Sequence, residues 1–133
     1  QPGVLQYVSS DAITERHRAA SGRGRDASCS LGKQIAVMHV FDALINNQER
    51  TPSSMLYSPD DWLLVLVDHG RAFGTDPVYP EYLESIELAV GDQWRRALGN
   101  LDDDLLRAEL GDVLNDDQLA ALARRRDDLL ARN

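Results

Sequence analysis

Between Lys33 and Ile45, apolar residues return at three- and four-residue intervals: Ile35, Met38, Phe41, Ile45. That period predicts a helix, dense enough in apolar residues to be almost surrounded by protein. Asp42 falls in or near its apolar face, and a buried carboxylate needs a partner. Arg50 is the nearest candidate. The pattern then turns polar from Asn46 to Ser54. Two strand-like runs follow, Met55-Leu56-Tyr57 and Leu63-Leu64-Val65-Leu66-Val67, split by the turn residues Ser58-Pro59-Asp60-Asp61. They predict a β-hairpin, with Trp62 packed at the start of the second strand. That strand reads as apolar on both faces, hence covered on both.

Downstream, the period is helical again. Pro80 suits a first helical position. Tyr82, Leu83, Ile86, Val90, Trp94 and Leu98 form a stripe through residue 98, weakened at Gly91 and ended by Gly99-Asn100. A short helix is predicted over Asp102 to Leu110, acidic at its start and stopped by Gly111. Asn115 caps a last helix with Leu119, Leu122, Leu129 and Leu130 inward. Arg124-Arg125-Arg126, interleaved with Asp127 and Asp128, reads as a solvated, self-paired face. Upstream, residues 1–8 hold a short apolar patch (Val4-Leu5, Tyr7-Val8), suited to a strand or a docking segment. Residues 9–30, rich in Ser, Gly, Ala and Arg, read as a flexible loop. The predicted class is mainly α with one β-hairpin (α+β). The predicted division is an N-terminal segment, 1–32, and a helical domain, 33–133.

Charge and composition narrow the partners. Residues 1–58 carry six Lys/Arg and five Asp/Glu, whereas residues 59–133 carry eight Arg and seventeen acids. So acidic a domain repels phosphate backbones, which argues against nucleic acid as a partner. No apolar run approaches the roughly 18 residues of a membrane span, so none is expected. The lone Cys29 gives no internal disulfide framework and fits a reducing, cytoplasmic setting. Gln1 in place of Met suggests a processed or truncated start.

Candidate chemistry concentrates in residues 39–73. Asp68 ends an apolar strand with Gly70 two residues on, a common way to hold a cation against a phosphate. Glu49 and Arg50 sit in the polar loop, where the bland reading is a local ion pair. His39 reads as a packed or capping histidine, His69 as a donor to nearby backbone, and Arg71 and Phe73 as anchors of the turn.

This stretch resembles the C-lobe core of bacterial kinase-like proteins of the HipA and phosphatidylinositol-kinase-like group. Their core reads roughly F-D-x-L-I-x-N-x-D-R-N-x-G-N, then a hairpin, then I-D-H-x-x-A-F. Phe41-Asp42, Leu44-Ile45, Asn47, Arg50, Asp68-His69 and Ala72-Phe73 stand in the matching places. Leu105 to Arg126 resembles that group's closing helices. The resemblance implies a protein-kinase-like C-terminal lobe lacking the N-lobe. It also implies an ATP site with Mg²⁺ held by Asp68 and by the residue at Ser54. Glu49 replaces the catalytic Asp, Ser54 the metal-binding Asn, and Ser53 a Gly. Glu adds a methylene, and a misplacement of about 1 Å can lower a rate about a hundredfold.

Two functions follow. The first is a degenerate, pseudokinase-like binding or regulatory module with a protein partner or self-association and no bound cofactor. The second is an ATP- and Mg²⁺-dependent phosphotransferase. In it Glu49 is the base, Arg50 supports the loop, Asp68 is the main cofactor and metal residue, and Ser54 is a lesser one. A purely structural helical domain is a third possibility.

Overall fold

The computed structural model describes residues 5–132. The class is as expected: mostly helical, with one small antiparallel sheet. The chain clusters into two compact units. The first takes in the chain up to Gln34 together with Thr51–Val67; the second is Ile35–Arg50 with the chain from Asp68 onward. The hairpin therefore groups with the N-terminal segment, a division not drawn from the sequence.

In the first unit, β1 (Ile13–Thr14), β2 (Met55–Tyr57) and β3 (Leu64–Leu66) form a sheet in the order β1-β2-β3, both pairs antiparallel. Leu56 lies opposite Val65. β2 is buried throughout, but β3 is an edge strand. Val65 is 46% exposed and Leu63 47%, so the expectation of cover on both faces fails. Leu63 and Val65 alternate onto one face, which is exposed, while Leu64 and Leu66 on the other face are half-buried. Trp62 packs as expected, buried at a positive φ of 58°. Its ring lies against Gly24, where an added Cβ would come within 3.0 Å of it. Gly24 also has φ 83°, so both space and backbone favour glycine there.

The flexible reading of residues 9–30 also fails in part. β1 and α1 (Glu15–Ser21) lie inside it. Thr14 caps α1 by accepting from the His17 N–H, Gly22 ends it in the left-handed region, and Arg18 pairs with Glu15 at 2.7 Å. A Ser/Gly/Arg composition hides these local signals. The apolar patch at residues 5–8 is exposed and forms no strand, and Val4 lies outside the described residues. Burial, aided by the Glu15 carboxylate, pushes the Tyr57 phenol up to about 12.

The second unit holds the larger core. α2 (Leu31–Ile45) contributes Val40, Ala43 and Leu44 from its second half. The single helix predicted through residue 98 is absent. Pro80 leads into a three-residue 3-10 turn, Glu81–Leu83, and α3 spans only Asp92–Gly99. Gly91 is the N-cap of α3, so the residue that weakened the stripe marks a helix start. Leu83, Leu88 and Val90 still reach the core, two of them from irregular backbone.

α4 (Asp103–Leu110) and α5 (Asp116–Ala131) match expectation, with Asp102 and Asn115 as N-caps. Asn115 and Gln118 complete a reciprocal capping box. Gly111 ends α4 with ordinary helical φ. Glycine is needed there because a Cβ would lie 2.5 Å from the Arg107 carbonyl. The solvated face predicted for Arg124-Arg125-Arg126 is overturned. Only Arg124 is exposed; Arg125 is 1% exposed and Arg126 is buried beside Asp103 and Asp127.

Candidate functional site

The C-terminus of α2 organises the second unit. A helix end leaves four carbonyls without intrahelical partners, and here each has an identified donor. Asn46, at φ 53°, donates its N–H to Ala43 O, and Asn47 donates to Asp42 O. This is a Schellman close, with Asn in the left-handed position that glycine usually takes. Ile45 O accepts from the Phe73 N–H at 2.5 Å. Leu44 O accepts from the Arg125 guanidinium at 2.8 Å. A cation there also meets the negative end of the helix dipole.

That close fixes the polar loop against the turn after the hairpin. Gln48 N–H donates to Arg71 O at 3.3 Å. Gln118, from α5, donates to Phe73 O. Asp68 and Phe73 both have φ 61°. Asp tolerates this region; a bulky Phe there is strained and persists because its neighbours hold it.

Beneath the loop lies a buried ionic network. Asp42 is 0% exposed. Its carboxylate accepts from Arg50 Nε and Nη2, each at 2.8 Å, from Asn47 Nδ2 at 3.2 Å and from the Tyr82 hydroxyl at 2.5 Å. Arg50 was the expected partner of Asp42, and it is that partner. Two parallel N–H donors on one carboxylate is the fork geometry that only arginine supplies. Burial, then the hydrogen bond to Asp42, pushes the Tyr82 phenol far above its ordinary value.

Two half-buried histidines flank the network. His69 does not bond to backbone as expected. Its Nε2 lies 3.4 Å from Arg50 Nη2, and its ring stands edge-on to Phe41. Burial first, and then the Arg50 charge, hold it below the usual imidazole value. His39 packs against the Tyr82 ring, and burial lowers it too, opposed by Asp42. Both therefore favour the neutral form when folded. The unfolded chain takes up protons first, so stability is complete above about pH 6.5 and falls as the pH drops toward the lower folded values. Urea unfolding is expected to give a lower midpoint at pH 5.5 than at pH 7.5. His69→Gln is expected to flatten that difference.

The remaining candidates differ in their surroundings. Glu49 leaves the buried network and pairs with Arg71 at 2.7 Å on the surface, where both side chains are about half-exposed or more. Asp68 is exposed. Ser54 belongs to the first unit. It is buried, its Oγ donating to Thr51 O and accepting from the Thr51 N–H, each at 3.1 Å. Magnesium requires near-octahedral oxygen ligation. The Ser54 hydroxyl, engaged on both sides by its own turn, is not an open ligand for such an ion, and the Glu49 carboxylate is held by Arg71. Among the described residues no three His, Cys, Asp or Glu side chains group so as to hold a metal ion. Nor is any helix among them long and apolar enough to cross a membrane. Tyr82 escaped sequence reasoning because it lies forty residues from Asp42 and no local pattern joins the two.

No family model, curated protein or solved structure matches this chain.

Proposed function

We propose that the chain is a binding or regulatory module: a pseudokinase-like C-lobe whose loop architecture persists without phosphotransfer chemistry. The observation that carries this reading is the Glu49–Arg71 pair. A general base must reach the proton it takes. Here the carboxylate in the catalytic position is paired with a cation twenty-two residues along the chain. Arg50, the other catalytic candidate, is committed to a buried carboxylate. Phe41-Asp42, Asn47 and Arg50, preserved in the resemblance, stiffen the loop; Asp68 is kept as well, while the departures fall on Glu49 and Ser54, two of the three residues that would react.

Charge points to the partner. The first unit has five acids and five Lys/Arg, so the whole net charge of −8 resides on the second unit. A protein presenting basic residues suits that surface, with Glu49, Arg71 and Asp68 at its contact loops.

A second reading, an ATP-dependent kinase, is favoured by the left-handed backbone at Asn46 and Asp68, since such conformations gather at functional sites. Calorimetric titration with ATP, with and without Mg²⁺, separates the two. No heat is expected for the chain or for Asp68→Ala. Metal-dependent binding that disappears in Asp68→Ala but survives in Arg95→Ala would replace the module reading with the kinase.

A further inference from the structure

The free edge of β3 carries an unusual cover. In its pairing with β2, Leu56 and Val65 stand opposite each other, and Ser58 N–H and Val67 N–H bond across to Leu63 O and Ser54 O. The alternation of an antiparallel ladder then turns the backbone of Leu64 outward. Its N–H donates to Gln34 Oε1 at 2.6 Å. Gln34 Nε2 in turn donates to the Trp62 carbonyl at 2.9 Å, and to Cys29 O as well. One side-chain amide thus supplies the acceptor and the donor that a neighbouring strand would supply.

The sequence shows why a cover matters. Edge strands are usually protected by charge, proline or a bulge. Residues 63–67 read Leu-Leu-Val-Leu-Val, with no charge and no proline, and Leu63 and Val65 are exposed. Such a run is a strand-pairing hazard. Its first available partner is the same edge on a second copy, because antiparallel pairing about a two-fold axis is self-complementary and meets no like-charge repulsion here.

We propose that Gln34 is the guard of this edge: its amide occupies the outward hydrogen-bonding groups of Trp62 and Leu64 and keeps β3 from pairing with β3 of a second copy. The inference is independent of what the second unit binds.

Sedimentation of the full chain and two variants tests it. Gln34→Ala is expected to reach a higher mass than the parent chain at the same concentration. Adding Val65→Lys to it restores the parent mass, because a charge on each edge strand opposes pairing. A folded Gln34→Ala with the parent's mass overturns the proposal. So does an association that Val65→Lys leaves intact, since that would be general exposure of apolar surface. Amide exchange on the parent chain needs no variant to fold. Leu64 is expected to exchange at least tenfold more slowly than an unprotected amide, and free exchange there overturns the guard.

Discussion

Arg50→Ala is expected to destabilise the second unit by about 3–5 kcal/mol, the range for breaking a buried ion pair from one side. The Arg50 and Asp42 side chains are 2% and 0% exposed, so solvent cannot replace the lost guanidinium. Asp42 would keep Asn47 and Tyr82 as donors, but its charge would stand uncompensated at a helix end that already carries a partial negative charge. Against a typical total of about 5–15 kcal/mol, this loss is large. Arg50→Lys is expected to recover only part of it, because an ammonium cannot make the two-pronged contact. The double variant Asp42→Leu, Arg50→Met is expected to lose much less stability than the sum of the two single changes, since it removes both charges together. Urea unfolding followed by circular dichroism measures the parent chain, these three variants and the single changes Asp42→Leu and Arg50→Met. A loss under about 1 kcal/mol for Arg50→Ala would mean that Asp42 reaches water, and that the network does not hold the loop.

The legibility of this site follows the range of its interactions. Asp42 and Arg50 are eight residues apart, and a carboxylate inside an apolar stripe demands a cation; the sequence suffices for that pair. The caps Asp102 and Asn115, and the hairpin around Pro59, are local for the same reason. The segment from Pro80 to Leu98 was misleading, because apolar spacing alone does not distinguish one helix from a 3-10 turn, an irregular stretch and a short helix. Gly91 carried the answer as a helix cap. His69 and Tyr82 gave no local sign of the groups they meet. Arg125 did give a sign. It lies three residues after Leu122 and four before Leu129, on the apolar stripe of α5, with both leucines buried. The neighbouring charges of Arg124, Arg126, Asp127 and Asp128 obscured a periodicity that placed it inside.

That position makes Arg125→Met the second large effect, an expected loss of about 3 kcal/mol. The case differs from the ion pair. Buried charges can often be exchanged for apolar groups at little cost when both partners go. Arg125 has no carboxylate partner of that kind. It donates to main-chain carbonyls: Leu44 O at 2.8 Å, Gly74 O at 2.9 Å and, more weakly, Asp76 O at 3.4 Å. Those carbonyls remain after the substitution, and each buried acceptor left unpaired costs about 1–3 kcal/mol. Methionine returns part of this. Burial holds the Arg125 guanidinium below its ordinary value, with Arg124 adding to the effect, so removing the charge relieves a desolvation penalty. Two well-formed hydrogen bonds, one to the end of α2 and one to the turn at Gly74, outweigh that relief, because Leu44 O belongs to the helix close on which the polar loop rests. Arg125→Lys is expected to fall nearly as far, since one ammonium cannot bridge acceptors that lie on α2 and on the turn at Gly74. Equal stability of Arg125→Met and the parent chain in urea would show that desolvation wins, and that the Leu44 and Gly74 carbonyls find other donors.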